Sequence, residues 1–243
     1  MAEEFSTEER TIVEHIEPGS FVVDVGSHVG SFARLFLERG YKVLSVEPQQ
    51  AEISRQGRDL EAYVRAGRLF LENVACSSRE GTATLFVGSV TVLSTLEPRW
   101  HEKTKPGSSS GRAVEVPTVR LSQLVQRYAQ RGLTAQAVKI DAEGHDYQVL
   151  LGLFDGLEAT LYPRIVMFEF QTHPVEEQPL RDCLSVLAQR GFRQIKFTIR
   201  HGARLLHESP WTDRIDDIHA WDGPQREIPR GHRYGNVLAR PPR

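Results

Sequence analysis

Short apolar, β-branched runs alternate with amphipathic stretches along most of this chain. Over the first 75 residues the order is strand, helix, strand, helix, strand, which predicts a parallel sheet covered by helices on both faces. Strands are predicted at 21–25, 42–46, 68–75, 82–87, 113–119, 137–141, 165–170, 194–199 and 236–239. Helices are predicted at 31–39, 51–66, 122–131, 147–154 and 179–190. The chain is therefore expected to be an α/β protein.

The length and composition favour one domain. At 243 residues and 40% hydrophobic content, the chain can bury one substantial core. Within residues 1–243, four segments are predicted: an N-terminal helical segment at 1–20, a cofactor-binding half at 21–87, an insertion and candidate lid at 88–118, and a substrate-side half at 119–243. Ser6 and Glu9 have the spacing of a helix capping box in the first segment.

The charge balance excludes a general attraction to polyanions. Lysine and arginine number 30 and aspartate and glutamate 32, a net charge of -2, so neither nucleic acid nor membrane is an expected partner. The two cysteines cannot form a disulfide framework, and no apolar run reaches the ~20 residues of a membrane span. The N-terminus lacks the pattern of a signal peptide, so a cytoplasmic protein is expected. Dimers are the commonest homo-oligomers, which leaves a homodimer as an open expectation.

The segment FVVDVGSHVGSF, residues 21–32, predicts a ligand-binding turn. A strand that runs through glycines into a helix exposes backbone N–H groups at the carboxyl edge of a sheet, where open α/β folds bind ligands. The dinucleotide pattern G-x-G-x-x-G fails, because His28 and Ser31 stand where glycines are required. Asp24 beside Gly26 and Gly30 would repel a pyrophosphate and attract a ligand that carries an amino group.

A second acidic residue points to a nucleoside. Glu47 ends the second predicted strand, 21 positions after Gly26, where a carboxylate can accept hydrogen bonds from ribose hydroxyls. A nucleoside with a positively charged end fits both carboxylates. S-adenosylmethionine has this chemistry, and it suits the two acidic groups better than NAD or ATP does.

Two longer stretches carry a family resemblance. VVDVGSHVGSFARLFLERGYKVLSVEP resembles the first motif of class I methyltransferases, and KIDAEGHDYQVLLG, residues 139–152, resembles the signature of the FkbM family. Further similar stretches are ENVACS at 72–77, STL at 94–96, VPTVRLSQL at 116–124, VMFEF at 166–170 and GNVLA at 235–239. The family more often has Ala-Asn where this chain has Ser27 and His28, and Glu where it has Asp146.

The resemblance implies a fold and a reaction. The expected fold is Rossmann-like, with a mostly parallel seven-stranded sheet, an antiparallel last strand and a small β/loop insertion after the third strand. The implied reaction is transfer of the methyl group of S-adenosylmethionine to a hydroxyl of a small sugar-containing or specialised metabolite. N- or carboxyl-methylation on the same scaffold, and a non-catalytic cofactor-binding partner subunit, are the alternatives.

The candidate site residues lie at the predicted carboxyl edge of the sheet. The cofactor-binding candidates are Asp24, Gly26, Ser27, His28, Gly30, Glu47, Asn73 and Asp141. The catalytic candidates are Asp141, Glu143, His145 and Glu169, with His173 as a further base. Asp141 and Glu143 could instead cap the next helix, and Asn73 could hold a loop backbone. Oxygen ligands suit Mg²⁺, so Asp141, Glu143 and Glu169 also make Mg²⁺ conceivable, but their spacing assigns no metal site.

Overall fold

The computed structural model describes residues 5–88, 91–98, 109–172, 178–201, 204–214, 217 and 233–242. The α-helices are α1 (Thr7–Val13), α2 (Ser31–Glu38), α3 (Gln50–Asp59), α4 (Glu61–Arg65), α5 (Leu121–Ala129), α6 (Asp146–Phe154) and α7 (Gln178–Gln189). The strands are β1 (Phe21–Val25), β2 (Lys42–Val46), β3 (Leu69–Glu72), β4 (Ala75–Ser77), β5 (Gly81–Gly88), β6 (Ser109–Arg120), β7 (Ala135–Ile140), β8 (Ile165–Thr172), β9 (Gln194–His201), β10 (Arg204–Glu208) and β11 (Arg233–Arg240). Short 3₁₀ helices lie at Thr91–Leu93 and Ala159–Leu161.

The main sheet has the strand order β10-β9-β11-β8-β7-β1-β2-β3. β11 runs antiparallel to both of its neighbours, β8 and β9, which confirms the expected antiparallel last strand. The expected count of seven strands was one too low, because β10 pairs antiparallel with the edge of β9. The sequence RLLHE of β10 is too short and too mixed in polarity to be recognised as a strand in isolation.

The predicted insertion after the third strand is a small separate sheet of β4, β6 and β5. The predicted strand 68–75 divides here, since β3 ends in the main sheet and β4 begins the small one. The predicted helix 51–66 is likewise two helices, which meet at Leu60 with φ −120° and ψ 23°. Apolar patterning predicted both segments but could not show where the backbone changes direction.

Alternate residues of the central strand β1 supply two cores, one on each face of the main sheet. Val23 and Val25 pack on the α5, α6 and α7 side, and Val22 packs with Phe36 on the α1 and α2 side. The same alternation directs Asp24, Lys139, Asp141 and Glu169 to the α1 and α2 side of their strands. In the parallel register Val25 lies beside Val46 and Ile140, so the residues after β1, β2 and β7 meet at one edge. Of the helices in the described segments, none is both long and apolar enough to span a membrane.

Candidate active site

The glycine turn after β1 is locked against the end of β7. Gly26 adopts φ +71°, and a Cβ atom there would lie 1.8 Å from the carbonyl oxygen of Asp141. The backbone N–H of Gly26 donates to Val46 O at 3.0 Å, and that of Asp141 donates to Val25 O at 3.1 Å. Gly30, with φ +83°, then begins α2. Glycine is required at position 26 because the space that a side chain would need is filled by backbone.

Glu47 is fixed at the end of β2 as the sequence predicts. It is 3% exposed, and its two carboxylate oxygens accept hydrogen bonds from the backbone N–H groups of His28 and Gln49, each at 2.9 Å. Burial raises the pKa of Glu47, and the two backbone donors oppose that rise. The carboxylate lines a cavity and is held in one orientation there.

This cavity, which we call the cofactor cavity after the predicted ligand, lies between the glycine turn and the small sheet. Its volume is about 130 Å³. Its apolar lining residues include Val74, Ala75, Cys76, Leu85 and Leu96, and its other lining residues include Gly26, His28, Glu47, Asp141 and Glu143. Thr91, Ser94 and Thr95, from the insertion, form a cover.

Hydrogen bonds join the cover to the sheet edge. His28 Nε2 lies 2.8 Å from Thr91 Oγ1, and the side-chain amide of Gln49 donates to Thr91 O at 3.0 Å. The hydroxyl of Thr95 donates to Glu143 O at 2.7 Å, where Glu143 itself adopts φ +49°. A lid function for segment 88–118 stays a prediction, and residues 89–90 and 99–108 lie outside the described part of the chain.

Asn73 supports the loop after β2. Its side-chain amide donates to the carbonyl oxygens of Glu47 and Pro48, at 2.9 and 3.0 Å. Among the described residues that line the cofactor cavity, Val74 occurs and Asn73 does not. The geometry thus matches the loop-supporting alternative, and contact of Asn73 with a cofactor stays a prediction.

Asp24 lies beneath the turn, against a lysine that the sequence reasoning did not single out. Its side chain is 0% exposed, and Lys139 Nζ lies 3.0 Å from its Oδ1. The same ammonium group lies 3.4 Å from Asp141 Oδ2 and donates to Gly26 O at 3.3 Å. Burial lowers the pKa of Lys139, but the Asp24 and Asp141 carboxylates outweigh that effect and raise it, so Lys139 stays charged.

The buried position of Asp24 has a consequence for its predicted contact with a cofactor. Among the described residues that line the cofactor cavity and its neighbour, Asp24 does not occur, whereas Lys139 lines the neighbouring cavity. Direct contact of Asp24 with a cofactor therefore stays a prediction. Lys139 was detectable in principle, because it belongs to the stretch KIDAEG and strand alternation places it on the same face as Asp141.

Replacing Lys139 with Met is expected to destabilise the fold by about 3–5 kcal/mol, because it leaves the buried Asp24 carboxylate without its ammonium partner. Urea unfolding measures this loss. The double variant Asp24→Asn/Lys139→Met removes both charges and is expected to recover most of it. A double variant as unstable as Lys139→Met would show that the loss does not come from the unpaired Asp24 carboxylate.

Three carboxylates meet at the ends of β7 and β8. One oxygen from each of Asp141, Glu143 and Glu169 lies within 4.8 Å of the others. Burial raises the pKa of Glu169 well above its ordinary value, and the charges of Asp141 and Glu143 raise it further. The hydroxyl of Tyr234 is hydrogen-bonded to Glu169, which opposes the rise only in part. Sequence reasoning missed Tyr234, because it enters from β11, far along the chain.

His145 and Asp146 follow the loop after β7 and lie at the start of α6. Asp146 accepts hydrogen bonds from the backbone N–H groups of Ala142 and Gly144, at 3.4 and 3.2 Å, and burial together with the charge of Asp141 raises its pKa to about 7. His145 lies with Nδ1 2.7 Å from Glu97 Oε1 and Nε2 3.0 Å from Ser77 Oγ. Both ring nitrogens of His145 are thus engaged toward the small sheet, on the cofactor side. His173 lies outside the described residues.

A second, larger cavity adjoins the first. Its volume is about 460 Å³, and it shares Gly26, His28 and Asp141 with the cofactor cavity. Glu169 lines it, together with Ser27 and Lys139. Its outer wall consists of Ser6, Glu8, Glu9, Arg200, Tyr234 and Asn236. Sequence reasoning missed this wall, because it is built from the two ends of the chain.

A mostly parallel sheet in which two strands, β10 and β11, are reversed, with a cavity at its carboxyl edge, is typical of the class I methyltransferase fold. The model of the methyltransferase FkbM domain matches residues 24–194, which is more than half of the chain. The protein therefore belongs to the FkbM methyltransferase family. The family resemblance of the sequence is confirmed.

The chain is similar to several solved structures, and the first of them has the same fold. The FkbM methyltransferase of Methylobacillus flagellatus superposes with a TM-score of 0.52 at 13% identity, over 93% of this chain and 46% of that one. This chain thus spans about half the length of that protein. A SAM-dependent O-methyltransferase of Thermotoga maritima gives 0.44 at 9% identity, over 96% and 64% of the two chains. The magnesium protoporphyrin IX methyltransferase of Synechocystis, solved with bound SAM, gives 0.46 at 11% identity, over 93% and 71%. No curated protein matches this chain in sequence.

Proposed function

We propose that this methyltransferase binds S-adenosylmethionine in the cofactor cavity and methylates a hydroxyl oxygen of a small sugar-containing or specialised metabolite. The observation that carries the proposal is the wall shared by the two cavities. Asp141 lines both of them, and Glu169, a buried carboxyl with a raised pKa, lies in the second. A methyl donor in one cavity and an acceptor in the other would meet at this wall.

The cofactor cavity fits the chemistry of S-adenosylmethionine. Its apolar lining residues, such as Val74 and Leu85, suit an adenine ring, and the fixed Glu47 carboxylate suits the ribose hydroxyls. Asp141, at the shared wall, places negative charge near a positively charged sulfonium or amino group. When bound, S-adenosylmethionine supplies an electrophilic methyl group whose C–S bond breaks as the acceptor oxygen bonds to the methyl carbon.

The acceptor hydroxyl must lose its proton, and Glu169 is the residue that we assign to receive it. A base near the operating pH is most effective, and burial with the neighbouring carboxylates shifts the pKa of Glu169 upward in that direction. The proton ends on a carboxylate oxygen of Glu169, beside the hydroxyl of Tyr234. Asp141 orients the acceptor, and Glu143 adds to the negative potential that raises the proton affinity of Glu169. We assign His145 a positioning function, because its ring is held between Glu97 and Ser77.

The charge of the acidic cluster of Asp141, Glu143 and Glu169 favours some of the alternative acceptor classes over others. A carboxylate acceptor would be repelled by Asp141, Glu143 and Glu169, so carboxyl-methylation is the weaker alternative. An amine would be attracted to the same cluster, and Glu169 could take its proton, so N-methylation is the second candidate. The net charge of -2 gives no support for a nucleic-acid acceptor. A homodimer and a non-catalytic partner function remain untested predictions.

The first experiment is a thermal-shift and calorimetric titration with S-adenosylmethionine, S-adenosylhomocysteine and NAD. At a ligand concentration 100 times Kd, the two adenosyl-sulfur ligands are expected to stabilise the protein by about 2.7 kcal/mol, and NAD is not. Glu47→Gln removes the carboxylate charge from the cavity and is expected to weaken both ligands about tenfold or more. Glu38→Gln, an exposed glutamate on α2, is the matched control. Stabilisation by NAD, or by none of the three, would refute the cofactor assignment.

The three carboxylates also have the oxygen chemistry that Mg²⁺ prefers. We propose that these three carboxylates accept and hold a proton and do not bind a metal ion, because the ammonium group of Lys139 already lies 3.4 Å from Asp141. Methyl transfer is therefore expected to continue in EDTA. Activity lost in EDTA and restored by Mg²⁺ would reassign the cluster to a metal.

A further inference from the structure

His28 has a backbone conformation that few residues with a side chain adopt. Its φ of +46° lies in the left-handed region, between Gly26 and Gly30 of the turn. Its N–H donates to Glu47 Oε2 at 2.9 Å, and its carbonyl oxygen accepts a hydrogen bond from Gln56 Nε2 at 2.6 Å. The side chain of Gln56 is itself buried. Both backbone groups of His28 are therefore bonded, which fixes the direction in which its ring leaves the turn.

The ring of His28 contacts the cover, 63 positions further along the chain. Its Nε2 lies 2.8 Å from Thr91 Oγ1, and the threonine hydroxyl can either donate or accept this hydrogen bond. Burial lowers the pKa of the His28 imidazole, so the ring is neutral near pH 7 and the bond joins two uncharged groups. Both residues line the cofactor cavity. We call this hydrogen bond between His28 and Thr91 the clasp.

A second set of side-chain hydrogen bonds holds the same part of the cover. Gln49 Nε2 donates to Thr91 O at 3.0 Å, and Ser94 Oγ donates to the same oxygen at 2.8 Å. Ser94 Oγ also lies 3.3 Å from Gln49 Oε1. These bonds hold the backbone of the cover from the loop after β2, whereas the clasp holds a side chain of the cover from the turn after β1. At this end the cover is therefore attached by side chains, which can separate without breaking either sheet.

The cofactor cavity under the closed cover is small for a nucleoside. Its volume is about 130 Å³, whereas sites for small molecules usually enclose about 300–1,000 Å³. The wall formed by the glycine turn is rigid, because the backbone of Gly26 packs directly on that of Asp141. Glu47 is likewise fixed by two backbone donors. The cover is the wall that can move outward, because side-chain hydrogen bonds attach it to the turn and to the loop after β2.

We infer that His28 is a positioning residue that holds the cover closed over the cofactor cavity, so that a ligand of nucleoside size enters only when the clasp is open. The inference rests on the proposed function for the identity of that ligand, whereas the clasp itself is a property of the ligand-free protein. It goes beyond that function by making the rate of cofactor entry depend on one hydrogen bond between the turn and the insertion. A ligand that needs the open form binds in proportion to the fraction of the protein that is open.

The test combines amide hydrogen exchange of the ligand-free protein with surface plasmon resonance, which measures the association rate of S-adenosylhomocysteine. Two clasp variants are compared. His28→Asn keeps a residue type that tolerates the left-handed conformation, but its side chain is shorter than the imidazole. Thr91→Val removes the hydroxyl and keeps the branched shape, and Thr91→Ser keeps the hydroxyl and tests rescue. Thr84→Val is the matched control, because its hydroxyl donates to Glu115 Oε1 at 2.6 Å within the small sheet.

The amide protons of Ser94 and Thr95 report on the cover, since both are hydrogen-bonded within the insertion. They are expected to exchange about three- to tenfold faster in the two clasp variants than in the wild-type protein, which is the effect of losing one hydrogen bond. The association rate of S-adenosylhomocysteine is expected to rise by the same factor. Thr84→Val is expected to change neither quantity, and Thr91→Ser is expected to restore most of the wild-type protection.

The double variant His28→Asn/Thr91→Val is expected to match either single variant, because the two side chains form one bond. Effects that multiply in the double variant, or exchange that is equal in all proteins, would overturn the clasp. Faster exchange without faster association would overturn its control of ligand entry. If S-adenosylhomocysteine bound to none of the proteins, the proposed function and the control of entry would both fail, and hydrogen exchange alone would decide whether His28 holds the cover.

Discussion

Glu169→Gln is expected to lower kcat by about 10²- to 10⁴-fold and to leave the affinity for S-adenosylmethionine unchanged, because the amide cannot receive the acceptor proton. Glu169 lines the larger cavity and does not occur among the described residues of the cofactor cavity. Steady-state kinetics with calorimetry separate the two effects. Glu208→Gln, which alters a glutamate at the edge strand β10, is the control.

The pH dependence gives Glu169 an independent signature. Its pKa in the folded protein lies well above the ordinary 4.5, so the folded state holds this proton more tightly than the unfolded state does. This stabilisation is complete below pH 4.5 and is lost as pH rises through the folded-state pKa. Glu169→Gln is therefore expected to raise Tm at pH 8 and to have little effect near pH 4.5. The wild-type kcat should rise over the same interval, and a variant that keeps this rise would place the base elsewhere.

Gly26→Ala is expected to weaken S-adenosylhomocysteine binding about 100-fold or more, or to prevent folding, because the added Cβ would lie 1.8 Å from Asp141 O. The turn and the end of β7 would have to separate, and both line the cofactor cavity. Calorimetry and thermal unfolding measure the two outcomes.

Gly67→Ala is the control that separates the steric clash expected at position 26 from the strain of a left-handed backbone conformation. Gly67 has φ +65°, close to the +71° of Gly26, but a Cβ there meets nothing within 4 Å. We expect it to cost only the left-handed strain of about 1–2 kcal/mol and to leave ligand affinity intact. Comparable loss of affinity in both variants would show that the close approach to Asp141 is unimportant.

Much of the fold and of the candidate site could be predicted from local sequence patterns. The turn at Gly26 and the acidic strand end at Glu47 are recognisable because each is encoded by a few neighbouring residues that form a strand, a turn and a helix start. Asp141, Glu143 and Glu169 were predicted to converge for the same kind of reason, since parallel strands end at one edge. The structure brings these three carboxylates together as expected.

The interpretation of individual side chains was less complete. Asp24 was predicted to face a cationic ligand; the structure shows the ammonium of Lys139 beside it, and contact of Asp24 with a ligand stays a prediction. His145 was a candidate base, yet Glu97 and Ser77 hold both of its ring nitrogens. In each case the competing partner lies on another strand or in the insertion, where spacing along the chain carries no information.

The α/β class, the glycine turn and the edge of the sheet that carries the candidate site could be predicted from the sequence alone, because they follow from local periodicity and turn residues. Tertiary structure alone decided which groups meet across long separations. Lys139 reaches Gly26 over 113 positions, and Arg200 reaches Glu8 over 192. Such contacts depend on strand order and register, which bring β7 beside β1 and place α1 against β9 and β11, and these are properties of the folded sheet.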